Sequence, residues 1–106
     1  MVKEIESEQE LNQLLAEQPK VLLKFSATWC GPCRAVAPVV DGLAPKYPDI
    51  TFRGADLDAQ GSIASRYEVT AVPTLVYIHN GKEVDRVLGA NVAGIKENLE
   101  KLSQLS

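Results

Sequence analysis

Cysteine is almost missing from this chain of 106 residues: there are two, Cys30 and Cys33. A bridge between them would close a loop so small that, in the loop-entropy model, it restrains the unfolded chain by only about 2 kcal/mol. A pair placed for stability would span more chain. Histidine occurs once, as His79, so a zinc site built on the cysteines falls short of four ligands; no metal is expected, and His79 reads as a solvated strand-end residue. No stretch approaches the roughly 18 consecutive apolar residues of a membrane span. Basic runs are absent too: the Lys and Arg residues total 11 and are scattered, and the net charge is -3 with a pI near 5.1, which argues against nucleic acid and anionic membranes as partners. The opening residues, Met1 to Ser7, turn polar and acidic where an export signal would carry roughly seven or more apolar residues. The expectation is a cytoplasmic protein. There is no repeat, linker or low-complexity segment, and 45% apolar residues suffice for one core, so residues 1–106 are read as a single monomeric domain.

What is present is periodicity. Ser7 followed by Glu10 forms a capping box, and Leu11, Leu14 and Leu15 recur at helical spacing, predicting a helix over about 8–17 before Pro19. Val21 to Ser26 is an apolar run short enough for a strand buried on both faces, with Lys24 as its anomaly. After Cys33, the stripe Val36, Val39, Val40, Leu43, Ala44 and Tyr47 predicts a helix that ends before Pro48 and is kinked at Pro38. Val2 to Ile5 and Ile50 to Ala55 read as strands. Asp56 to Gln60 reads as a loop, followed by a short helix with Ile63, Ala64 and Tyr67 inward. Thr74 to His79 and Lys82 to Leu88 flank Asn80-Gly81, the strongest two-residue hairpin signal. Asn91 caps a last helix carrying Val92, Ile95, Leu99 and Leu102. The order βαβαβαββα implies an α/β fold, a mixed five-stranded sheet with four helices on its two faces.

Cys30 and Cys33 stand one turn apart at a helix start, facing the same way, so reversible disulfide closure is easy. In a chain without an export signal, a lone Cys-x-x-Cys indicates redox or metal chemistry. Unpaired N–H groups and the positive end of the helix dipole stabilise a thiolate there. Cys30, at the very end, is the expected exposed nucleophile, and Cys33, deeper in the turn, the less exposed resolving thiol. Gly31 and Pro32 bring no further charge, which favours a reductant. Trp29 adjoins the nucleophile at a loop–helix junction, a place where large aromatics serve as contact surface.

Phe25-Ser26-Ala27-Thr28-Trp29-Cys30-Gly31-Pro32-Cys33-Arg34, Ala37-Pro38, Val72-Pro73-Thr74, Asn80-Gly81 and Gly89-Ala90 together resemble the thioredoxin family, over essentially the whole chain. The resemblance implies a thioredoxin fold and a protein disulfide reductase without a bound cofactor, taking part in cell redox homeostasis. It would act on disulfide-containing proteins and be recharged by a thioredoxin reductase. It further implies a cis bond before Pro73 that sets the Val72 backbone beside the sulfurs. Trp29, Gly31, Pro32, Ala71, Val72, Pro73, Gly89 and Ala90 would then bind substrate, with Asp58 holding the Trp29 indole.

The sequence departs from the family at Lys24. Thioredoxins carry an Asp six residues before the first cysteine and pair it with a lysine, whose matching position here is Gly54, so the familiar proton relay does not carry over. Lys24 either snorkels to solvent or points into the space behind Cys33. There it would act as a neutral proton acceptor or, if charged, favour the Cys33 thiolate and make the couple less reducing. Two further readings stay open at this point: a binding module whose apolar patch matters more than its thiols, and an oxidase or isomerase.

Overall fold

A computed structural model describes all 106 residues, and its five strands form one mixed sheet. These are β1 (Lys3–Glu4), β2 (Lys20–Ser26), β3 (Thr51–Asp56), β4 (Thr74–His79) and β5 (Lys82–Leu88), in the spatial order β1-β3-β2-β4-β5. β1, β3 and β2 run parallel, while β2–β4 and β4–β5 are antiparallel. The central strands alternate between two cores, as the two-residue period of a strand requires. On one face Leu22, Phe52, Leu75, Tyr77 and Val87 pack against α2 (Gly31–Leu43) and α4 (Val92–Gln104). On the other, Val21, Leu23, Phe25, Ala55, Val76 and Ile78 pack against α1 (Glu8–Glu17) and α3 (Gly61–Arg66). This is the expected layered α/β arrangement, and no helix is long and apolar enough to cross a membrane.

The helix ends follow their local chemistry. Ser7 Oγ accepts from Glu10 N at 3.0 Å, while the Glu10 carboxylate accepts from Glu6 N, one residue further back than in the standard capping box. Asn91 Oδ1 accepts from Gly94 N and starts α4. The helix after the cysteines is shorter than its apolar stripe predicts. It stops at Leu43 and tightens into a 3-10 turn, Ala44–Lys46. Pro45 is the reason, since it has no N–H to offer the carbonyl one turn back. Pro38 lies on an exposed position inside α2. At the hairpin, Asn80 and Gly81 both adopt positive φ, 51° and 81°, as a tight two-residue turn between right-twisted strands demands.

Candidate active site

The site forms where β2, at the middle of the sheet, ends and α2 begins. Cys30 is the N-cap of α2, and its Sγ accepts a hydrogen bond from Cys33 N at 3.2 Å. An N-cap acceptor is ordinarily a hydroxyl or carboxylate oxygen; with sulfur in that role, one of the N–H groups that a helix start leaves unpaired, that of Cys33, points at the reactive atom. The two cysteines are joined in a disulfide, with Cα atoms 5.3 Å apart. Cys30 Sγ lies 3.7 Å from Val72 O, and the Val72–Pro73 peptide bond is cis.

The expected contrast in exposure between the two thiols is not there. Cys30 is 4% and Cys33 5% exposed, because both tuck beneath Ala27, Leu57 and Val72. What distinguishes them is surroundings: Cys30 faces the Val72 carbonyl and adjoins Trp29, whereas Cys33 lines a cleft behind the pair.

Around Cys30 the surface is open and apolar. Trp29 is 64% exposed, so it lies on the surface and not in the core. Its Nε1 donates to Asp58 Oδ2 at 2.9 Å, and Asp58 is held in turn by the loop, where the Asp56 carboxylate accepts from Asp58 N and Ala59 N. Gly31, Pro32 and Ala71 are exposed, Val72 is half-buried and Pro73 is buried. Thr74 Oγ1 donates to Ala71 O at 2.6 Å and fixes that loop. Gly89, at φ 80°, donates its N–H to Pro73 O at 2.8 Å, which ties the Gly89-Ala90 segment to the cis-proline loop. Leu88, 66% exposed and paired with Thr74 in the sheet, belongs to the same apolar rim. Alternation along β5, with Val87 inward, was the signal in the sequence that it faces out.

Behind Cys33 the structure places Lys24 at a shared cleft. That residue is 8% exposed and lines, with Glu4, Ser26, Thr28, Cys33, Arg34 and Asp56, an open cleft of about 450 Å³. Glu4 was not visible as a site residue in the sequence. It comes to the cleft because β1 pairs with β3 so that Glu4 lies opposite Gly54, in line with Lys24 on β2. Burial raises the Glu4 carboxyl above its ordinary value, an effect that the Lys24 charge opposes and the Asp56 charge reinforces. The local field is therefore not simply reversed by Lys24, since a carboxylate from another strand accompanies the lysine. No cluster of three or more His, Cys, Asp or Glu side chains is arranged to hold a metal ion.

Comparison with known proteins agrees with this geometry. The profile of the thioredoxin family matches residues 2–101. The chain is 41% identical over 97 residues to thioredoxin-1 of Saccharomyces cerevisiae, covering 92% of this chain and 94% of the relative. Among solved structures, Fasciola hepatica thioredoxin superposes with a TM-score of 0.91 at 38% identity, over 95% of this chain and 99% of that one. Oxidised mitochondrial thioredoxin 3 from Saccharomyces cerevisiae gives the same score at 33% identity, over 95% of both chains.

Proposed function

Because the chain belongs to the thioredoxin family, we propose that Cys30 is the attacking thiol and Cys33 the resolving thiol of its reaction. The protein is a thiol–disulfide oxidoreductase whose redox pair is Cys30 and Cys33. In the reducing direction the Cys30 thiolate attacks one sulfur of a substrate disulfide. A mixed disulfide forms and the first substrate thiolate leaves. Cys33 then gives up its proton and attacks Cys30 Sγ, closing the intramolecular disulfide and releasing the second substrate thiolate. Two electrons pass from the dithiol to the substrate, and the thiolates collect protons from solvent.

The observation that carries the assignment is the hydrogen bond from Cys33 N to Cys30 Sγ at the start of a 13-residue helix. It stabilises negative charge on Cys30 in particular. Trp29, Gly31, Pro32, Ala71, Val72, Pro73, Gly89 and Ala90 form the docking surface in this proposal, with Leu88 added at the rim. An extended substrate segment pairs with the backbone at Val72, a mode that reads little side-chain identity and so admits many disulfide-containing proteins. A thioredoxin reductase returns electrons to the pair, and the protein works as a cytoplasmic monomer of one domain without a bound cofactor.

The roles are separated by trapping. Cys33→Ser incubated with a disulfide-bonded protein such as insulin accumulates a mixed disulfide through Cys30, while Cys30→Ser accumulates none. Trapping through Cys33 instead would overturn the assignment.

A further inference from the structure

Glu4, Gly54 and Lys24 occupy one rung of the sheet, on β1, β3 and β2. Residues in register on parallel strands present their side chains to the same face. Gly54, between the other two, has none, and the Glu4 carboxyl leans over the space this leaves. A Cβ on Gly54 would overlap Glu4 Oε2 and stand 2.8 Å from Glu4 Cδ. The carboxyl thereby reaches the cleft that Cys33 lines from α2.

We propose that Glu4 accepts the proton that Cys33 releases when it attacks the mixed disulfide, through water in this cleft, with Lys24 as the positioning residue that keeps the carboxylate ionised. The inference rests on Cys33 being the resolving thiol. The balance is simple: Cys33 S–H transfers its proton to water and water to Glu4. The Cys33 sulfur bonds to Cys30 Sγ, and the substrate thiolate departs with the electron pair of the broken bond. Glu4 afterwards returns the proton to solvent.

Several observations single out Glu4. The charged side chains that share the cleft with it are Lys24 on β2, Asp56 at the end of β3 and Arg34 on α2. Asp56 is committed elsewhere, since its Oδ1 accepts from both Asp58 N and Ala59 N at 2.9 Å. Arg34 donates to Thr28 O and, as a guanidinium, accepts no proton. Lys24 and Glu4 make no direct ion pair, and both residues line the open cleft. Glu4 is exposed on its edge strand, and the partial desolvation it undergoes there raises its proton affinity, which favours it as an acceptor.

The test measures release of thiol from a preformed mixed disulfide between Cys30 and a small aromatic thiol, across pH, for the parent, Glu4→Gln, Glu6→Gln and Cys33→Ser. Glu6→Gln makes the same charge change two residues away. Glu4→Gln is expected to resolve about tenfold more slowly, less than the roughly 10²-fold typical of a base in direct contact because the proton passes through water. It is also expected to lose the acid limb of the parent pH profile and to be accelerated by added formate more than the parent is. Glu6→Gln follows the parent. Superimposable profiles for Glu4→Gln and parent would overturn the inference, as would slowing without rescue by formate. A parent no faster than Cys33→Ser would instead overturn the resolving role of Cys33.

Discussion

Trp29 and Asp58 are joined by a hydrogen bond of 2.9 Å from the indole Nε1 to the carboxylate Oδ2, a link between the exposed ring beside Cys30 and the loop after β3. The bond leaves the apolar area of the ring free while restraining its orientation, so a substrate docking there, as proposed above, need not fix the ring anew. Asp58→Ala is expected to reduce kcat/KM for protein disulfides about fivefold, the equivalent of one hydrogen bond worth about 1 kcal/mol. A small disulfide that does not cover Trp29 should be reduced at the parent rate. Steady-state kinetics on both substrates, with Trp29 fluorescence anisotropy, checks this; equal losses on both substrates would show that the bond acts on the thiols and not on docking.

Tyr77 is fully buried, and its hydroxyl donates to Ile95 O at 2.9 Å, tying β4 to α4. Tyr77→Phe is expected to lower stability at neutral pH by about 1 kcal/mol, read from denaturant midpoints. Burial pushes the Tyr77 phenol well above its ordinary 10.0, with Asp85 adding to the effect. The unfolded chain therefore releases this proton first, and the contribution of Tyr77 is present below pH 10.0 and lost as pH rises beyond it. The gap between parent and Tyr77→Phe should narrow above that pH, and a constant gap would refute the account.

How far the sequence spoke depended on how local each determinant is. The strands Thr74–His79 and Lys82–Leu88 were readable to the residue because Asn80-Gly81 sets the turn from within. The start of α4 was readable because Asn91 caps it from one position away. α2 was read too long because an apolar stripe continues through Ala44 to Tyr47 while Pro45 ends the hydrogen-bond ladder regardless of the pattern. At the site, Cys30, Cys33 and Trp29 are neighbours in sequence, so motif and helix start sufficed. Glu4 was missed because its place depends on pairing between β1 and β3, strands separated by most of the first half of the chain. Lys24 and Gly54 registered as departures, yet nothing local joins them to a two-residue strand at the edge of the sheet. The equal burial of the two cysteines was missed for the same reason, since Leu57 and Val72 cover them from other elements.

Gly54→Ala separates stability from activity. Only the flexible end of Glu4 stands in the way of the new Cβ, and alanine restricts the unfolded chain more than glycine does. Stability is therefore expected to be unchanged or to rise by up to about 1 kcal/mol. The same methyl displaces the Glu4 carboxyl from its place over position 54, so resolution of the mixed disulfide should slow as in Glu4→Gln. Chemical denaturation beside the thiol-release assay reads both; a faster or unchanged release in Gly54→Ala would separate Glu4 from the step.

Lys24→Asp tests how the cleft tunes the couple. A charged lysine near Cys33 favours the thiolate and so the reduced protein, most strongly where the thiols are ionised, while Glu4 and Asp56 in the same cleft offset part of that effect. Replacing the cation by an anion leaves three carboxylates facing Cys33. It disfavours negative charge on that sulfur and makes reduction of the disulfide harder. The expected shift at about pH 9, just above the ordinary thiol pKa of about 8.5, is roughly 30 mV toward more negative potential, the equivalent of about 1.4 kcal/mol for two electrons. Near pH 6, where proton uptake by the reduced pair is favoured over thiolate formation, the two potentials should draw closer. Equilibration with glutathione buffers at the two pH values checks this. A separation that is the same at both would mean that Lys24 acts on the stability of the fold around the disulfide, whereas coincidence at both would mean that its charge does not reach Cys33 at all.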